Sequence, residues 1–376
     1  MDHTALENKM QREINSLVGK NQDIFNAVIG VANSQSDFHW TGAAGTANAE
    51  KKEAMKVDTP IFIASITKMY TGAAAMILEE RGRLSLDDPI SKYLPEELVD
   101  GLHRYKGWDY SDQLRVYHLI SQTSGLPDYF MDKPREGKSV FDRLVVDNDM
   151  AWNLEDVVNI VKNDLSSKFP PEPKEDEQSG KKAYYADTNY QLLGAVIEVV
   201  TQKPLYEVFT EFFIEPLGLS STYLHGYGDT KTSADKHPAD IYYKTWPLHV
   251  DKAMTSFGPD GGMVSNVEDS LNFLKNIIEG KLFTNPSTLE RMQNWKKVFF
   301  PLQYGLGLMR FRLPRIFSPF SRPPELVGHS GSTSAFLFYS DREQIYIAGT
   351  LNQIENQGRP FRVMLKIIKM VNEGLS

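Results

Sequence analysis

The sequence contains no cysteine, which excludes disulfides, thiolate nucleophiles and Cys-ligated metals outright. It also has no apolar run long enough to span a bilayer, so no membrane span is expected. Histidine is sparse. The eight residues are scattered, with no His-x-x-x-His or His-Glu-x-x-His, so neither a metal nor another cofactor is expected. Positive charge is in deficit, 41 Lys and Arg against 49 Asp and Glu. The resulting net charge of −8 repels a phosphate backbone, and nucleic acid is not an expected partner. The start, from Met1 through Asp2, His3 and Glu7, lacks the basic and then apolar stretch of an export signal. The chain as given reads as cytoplasmic, the alternative being an exported mature form whose signal has been removed.

What is present is an ordinary globular composition, 41% hydrophobic and 24% charged. Its 376 residues suffice for two lobes, or for one domain with a large insertion. Gln11 to Val18 reads as a short helix, and Asn26 to Ala32 with Phe38 to Ala44 as a hairpin. The Ala- and Met-rich stretch from Ile61 to Gly82 is apolar nearly all round, the pattern of a buried helix. Helical patterns at Val116 to Gln122, Leu154 to Val161 and Leu192 to Val200 then dominate. Lys168 to Lys182 reads as an exposed charged connector. A helix over Val267 to Glu279 and apolar alternation from Tyr304 to Phe311 lead to two strands, Ala335 to Tyr339 and Gln344 to Leu351, and a terminal helix, Phe361 to Val371. The pattern predicts an α/β (α+β) protein: an antiparallel sheet built from both chain ends, 1–84 and 250–376, flanked by helices, with an inserted all-α lobe at 85–249.

Ser-x-x-Lys places a hydroxyl and an amine on one helix face, within reach of each other. The pattern occurs at Ser65 to Lys68, Ser179 to Lys182 and Ser233 to Lys236. Only Ser65 opens a buried helix, where its backbone N–H is one of the first-turn donors available to an oxyanion. Structurally, Ser65 could equally be a helix cap and Lys68 a snorkelling lysine, but an unpartnered lysine on an apolar helix is costly to bury.

Ser65-Ile-Thr-Lys68 with Arg83 to Pro95, Leu119 to Tyr129, Tyr185-Ala-Asp-Thr-Asn-Tyr-Gln-Leu-Leu-Gly194, Pro216 to Thr222, Gly261-Gly-Met-Val-Ser265 and Gly328-His-Ser-Gly-Ser332 follow one another as they do in a known group. Together they resemble the serine β-lactamase and D,D-peptidase superfamily, in particular its branch of class C β-lactamases, D-alanyl-D-alanine carboxypeptidases, D-aminopeptidases and family VIII esterases. The resemblance runs from about residue 25 to 350 and implies the β-lactamase/transpeptidase-like fold. It implies a nucleophile at Ser65, a neighbouring Lys68, and a proton-transferring Tyr185. Tyr-x-Asp also occurs at Tyr110 and Tyr227, but only Tyr185 is followed by the helix pattern of the group.

Asp187 stands where the group usually has Asn, and an ionised Asp only accepts hydrogen bonds. A carboxylate there favours a charged Lys68, acting as a fixed cation that supports Tyr185 rather than as the base. His329-Ser-Gly331 matches the third motif. The match implies a His329 that binds substrate carboxylate more weakly as pH rises, a Gly331 that lets substrate lie against the strand, and a Ser332 whose N–H is the second oxyanion donor.

The implied function is hydrolysis through a Ser65 acyl-enzyme of a carboxylic ester, a D-amino-acid peptide or a β-lactam, the partner being a small molecule or short peptide. The alternative is a non-catalytic, penicillin-binding-like binding or scaffold protein. An α/β-hydrolase reading fails because Gly328 to Ser332 lacks the final glycine of Gly-x-Ser-x-Gly. Met309 to Pro324, with four arginines, four prolines and three phenylalanines, reads as an acyl or carboxylate clamp, a lipid or subunit contact, or a loop folded on its own domain. Oligomeric state is not legible.

Overall fold

A computed structural model describes residues 3–19, 23–146, 149–171, 183–227, 237–314 and 323–375. The Ser-x-x-Lys pairs at Ser179 and Ser233 lie outside the described residues, as do residues 172–182 of the charged connector and 315–322 of the Arg-Pro-Phe segment.

The helices used below are α1 (Thr4–Leu17), α2 (Thr67–Glu80), α3 (Asp187–Thr201), α4 (Asp251–Gly261), α5 (Val267–Ile278) and α6 (Arg359–Leu375). Among the described residues nine strands form one sheet: β1 (Asn26–Asn33), β2 (His39–Asn48), β3 (Glu53–Ala54), β4 (Lys296–Phe299), β5 (Leu302–Tyr304), β6 (Met309–Phe311), β7 (Leu326–Ser330), β8 (Phe336–Ser340) and β9 (Ile345–Thr350). Their spatial order is β4-β5-β6-β7-β8-β9-β1-β2-β3. The two chain ends meet where β1 pairs antiparallel with β9, Val28 opposite Thr350 and Gly30 opposite Ala348.

Every residue of β8 and β9 is buried, because helices cover both faces of the sheet. On one face a side chain at Gly30 would meet Leu271 and Val267 of α5; on the other, one at Gly42 would meet Gln11 of α1. Strand alternation thus delivers successive residues to different helices. Helix α1 buries Leu6, Met10 and Ile14 at four-residue spacing, and α6 buries Val363, Met364, Ile367, Ile368 and Val371 along one stripe. The two pack together, which ties the N-terminal helix to the C-terminal one.

Among the described residues, the region between the sheet halves is mainly helical and also carries two short hairpins, Arg104–Tyr105 with Trp108–Asp109 and Ile241–Tyr243 with Trp246–Leu248. A small three-stranded sheet, Ile61–Phe62, Met263–Ser265 and Tyr223–Leu224, joins this region to the approach to α2. Helix α2 is buried without interruption from Thr67 to Leu78. Each fully buried Met, Ile or Leu contributes about 1.5–3 kcal/mol, so α2 is a fixed axis against which other segments are positioned. Among the described residues no helix is long and apolar enough to cross a membrane.

Candidate active site

Ser65 sits on a tight 3-10 turn, Ala64–Ile66, that runs directly into α2. The turn is held from two sides. Ile63 N–H donates to the Met263 carbonyl at 3.1 Å, and a side chain at Gly331 would lie 2.6 Å from the Ile63 carbonyl oxygen and 3.0 Å from Ala64 Cβ. Ala64 takes φ +47°, a left-handed conformation that costs a non-glycine residue about 1–3 kcal/mol and persists only when its surroundings impose it. The close approach at Gly331 is therefore to the turn that carries Ser65.

Lys68, one helical turn on, is completely buried. Its ammonium donates to Ser65 Oγ at 3.2 Å and to the Asp260 carbonyl oxygen at 2.6 Å, and forms an ion pair with Asp187, Nζ to Oδ1 at 2.7 Å. Burial works against its charge, but Asp187, Tyr185 and Asp260 outweigh that and hold it protonated well above the usual lysine range. A cation already donating to Ser65 Oγ cannot take that oxygen's proton.

Asp260 reaches Lys68 because α4 breaks at Gly258, which adopts φ +41° just before Pro259. Past the break, the Pro259 carbonyl accepts from Thr71 Oγ1 at 2.6 Å while the Asp260 carbonyl accepts from Lys68. Both bonds lock the loop onto α2.

Tyr185 and Asp187 lie at the start of α3, and the block Leu119 to Tyr129 holds them there. Gln122 Oε1 accepts from Ala186 N–H at 3.0 Å and from Asn189 Nδ2 at 2.6 Å, and Ser124 Oγ donates to Asn189 Oδ1 at 2.6 Å. The half-buried Tyr185 ring centroid is 5.1 Å from Lys68 Nζ. Burial pushes its phenol well above the usual tyrosine range; Lys68 opposes this and Asp187 adds to it, while hydrogen bonding to Ser65 and Lys68 favours the phenolate. The resting site holds a cationic lysine and a neutral phenol.

His329 departs from expectation. It is fully buried in β7, its ring 6.1 Å from that of Tyr185 and 5.6 Å from that of Tyr304. Nδ1 is 2.7 Å from the Ser330 carbonyl, which only accepts, so Nδ1 carries the proton. Burial first and Lys68 second push the imidazole down to about 3. The ring is neutral at any physiological pH and cannot attract a carboxylate by its charge; Ser330, Gly331, Ser332 and Thr333, rather than His329, face the cavity. Ser332 is exposed there, and its carbonyl accepts from Gln357 Nε2 at 2.7 Å.

Ser65, Tyr185 and Asp187 open onto a cavity of about 720 Å³ whose walls are overwhelmingly apolar, among them Phe130, Phe141, Leu144, Leu248 and Phe257. Of the Arg-Pro-Phe segment, Met309, Phe311 and Leu313 line this cavity. Arg310 and Arg312 instead pair with Glu325, each at 3.3 Å. Two further carboxyls on the lining, Asp128 and Asp260, went unnoticed in the sequence although one lies inside a quoted block and the other directly precedes Gly261-Gly262. Burial, and then repulsion from Asp187, push both well above the usual carboxyl range.

A buried lysine bound to a serine hydroxyl one turn away, with a tyrosine over it and a sheet strand alongside, defines a protein of the Ser-x-x-Lys class. The family model described as Beta-lactamase matches residues 14–365, and the chain belongs to that family. It is 28% identical over 178 residues to Protein flp of Staphylococcus aureus (strain MW2), which covers 47% of this chain and 30% of that protein. It is 29% identical over 238 residues to a putative D-alanyl-D-alanine carboxypeptidase of Escherichia coli (strain K12), covering 58% of this chain and 50% of that one. The chain thus spans half or less of the length of these curated relatives. The D-amino acid amidase of Ochrobactrum anthropi SV3, solved with L-phenylalanine amide, superposes with a TM-score of 0.76 over 99% of this chain and 100% of that one, at 19% identity. That likeness is one of fold.

Proposed function

We propose that the chain is a serine hydrolase that transfers the acyl group of an ester or amide to Ser65 and then to water. The observation that carries this is the contact from Lys68 Nζ to Ser65 Oγ, made by a lysine whose charge Asp187 sustains. In this scheme Tyr185, in its phenolate form, accepts the Ser65 proton as Oγ attacks the carbonyl carbon. Lys68 stays protonated, orients Oγ and stabilises the phenolate. The backbone N–H groups of residues 65 and 332 receive the oxyanion. Collapse breaks the bond to the leaving alkoxide or amine, which takes the proton from Tyr185. Tyr185 then removes a proton from water as hydroxide adds to the acyl carbon, and on collapse it returns that proton to Ser65 Oγ, which leaves as its alcohol and restores the phenolate.

The neutrality of His329 and the apolar cavity favour substrates that present a hydrophobic group and no carboxylate beside the scissile bond, which ranks esters and amides above carboxylate-bearing β-lactams. Met309, Phe311 and Leu313 support a role for residues 309–313 in holding the hydrophobic part. Intact-protein mass spectrometry after brief exposure to a p-nitrophenyl ester tests the scheme. An acyl increment on Ser65 is expected, absent in Ser65→Ala; an unmodified protein that releases no p-nitrophenol would leave a pure binding protein as the reading.

A further inference from the structure

Two of the contacts that hold the Lys68 ammonium trace back to one helix. Asp187, whose Oδ1 lies 2.7 Å from Nζ, is the first residue of α3. The Asp260 carbonyl, 2.6 Å from Nζ, belongs to the loop at the break in α4, and that loop rests on α3 as well.

The residues of α3 that face this loop are spaced for it. Asp187, Gln191 and Gly194 stand at i, i+4 and i+7, a single stripe along the helix. Gln191 is buried, and its Nε2 lies 3.0 Å from the Ser256 carbonyl, 2.9 Å from the Phe257 carbonyl and 2.9 Å from Asp260 Oδ2. One side chain thus holds the chain on both sides of the break at Gly258. Gly194, also buried, lies against Pro259: a side chain there would put its first carbon 2.5 Å from both Cβ and Cγ of the proline ring. Glycine inside a helix is disfavoured relative to alanine, and the close approach of Pro259 is what this one permits.

Pro259 and Asp260 are in turn the residues whose carbonyls grip α2, one accepting from Thr71 Oγ1 at 2.6 Å and the other from Lys68 Nζ. The proline ring fixes its own φ, so an atom added at position 194 is met by a shift of the loop rather than by a local bend. Such a shift moves the Asp260 carbonyl while Asp187 stays in place, and draws the ammonium away from Ser65 Oγ.

We infer that Gln191 and Gly194 are positioning residues for Lys68: they set how closely residues 258–260 approach α2, and hence where the ammonium stands against Ser65 Oγ and the Tyr185 ring. This rests on the serine hydrolase reading and adds to it two residues that act through the loop. Neither is among the described residues lining the cavity onto which Ser65 opens.

Gly194→Ala, assayed with p-nitrophenyl butyrate, is expected to lose about 10-fold or more in kcat with KM within about 2-fold of wild type, because an orienting group moves and the substrate cavity does not. The loss should depend on the proline. In a Pro259→Gly background, which lacks both atoms that the new carbon meets, Gly194→Ala should change kcat by less than about 2-fold. An equal loss in the two backgrounds, a loss confined to KM, or an unchanged kcat overturns the role. Gln191→Leu, which removes the amide donors at similar volume, is the second variant should Gly194→Ala fail to fold. The same fall in kcat is expected of it, and a kcat within about 2-fold of wild type overturns the role. A wild-type protein that turns over no ester is a separate result, which sinks the hydrolase reading and this role with it.

Discussion

Lys68 Nζ lies 2.7 Å from Asp187 Oδ1, a buried ion pair placed against the hydroxyl of Ser65. The pair reconciles a lysine with an apolar helix: burial opposes the charge, and the carboxylate more than offsets that opposition. It also favours the cationic form of Lys68, which in the proposed scheme leaves Tyr185 to exchange a proton with Ser65.

Asp187→Asn is therefore expected to destabilise the fold. Removing one partner of a buried pair typically costs about 3–5 kcal/mol, and the nearby Asp260 places this case at about 3. Urea denaturation at neutral pH measures it, and a loss below about 1 kcal/mol would mean that the pair is not what keeps Lys68 charged.

The pH profile follows from Tyr185. Its phenol is raised, so the phenolate is a small fraction at neutral pH and grows with alkalinity. For an ester without titratable groups, kcat/KM should rise about tenfold per unit from about pH 7 to about pH 9. A plateau that begins near neutrality would show that another group is the base.

Stability should fall in acid through His329. Its folded value of about 3 lies below the ordinary 6.5. The stabilisation from a neutral imidazole is thus fully present above about pH 6.5 and is lost as pH falls, because the unfolded chain takes up the proton first, at about 1.4 kcal/mol per unit. Unfolding free energies at several pH values, compared with those of His329→Gln, should show wild type losing this much more per unit between about pH 6 and about pH 4. Parallel curves for the two proteins would place a charged histidine in the fold.

Gly331→Ala tests the clamp on the nucleophile turn. The added carbon meets the Ile63 carbonyl oxygen at 2.6 Å, so either β7 or the Ser65 turn must shift. Displacement of a reacting group by about 1 Å costs about 100-fold in rate. A fall in kcat of that order, with KM little changed, is expected in ester assays; unchanged kcat would contradict the clamp.

These outcomes bear on what a sequence can disclose. The Ser65 to Lys68 spacing, the helix after Tyr185 and the order of blocks were legible because they are local patterns. The sheet built from both chain ends was legible too, since β8 and β9 are long and apolar. The hairpins at Arg104 to Asp109 and Ile241 to Leu248 were not, because strands of two or three residues leave no period to detect. Asp128, Asp187 and Asp260 converge from segments far apart in the chain, and nothing local marks them as neighbours. The protonation state of His329 was not legible for the same reason: it depends on burial and on Lys68, both set by tertiary packing.

The central claim is that Ser65 carries the acyl group. Intact-mass analysis of the whole chain mixed with p-nitrophenyl butyrate, followed by peptide mapping, addresses it directly. The account predicts one acyl increment, located on Ser65, that forms as p-nitrophenol is released and decays as turnover proceeds, with none in Ser65→Ala. Hydrolysis that persists in Ser65→Ala, or an acyl group mapped to any other residue, would contradict it.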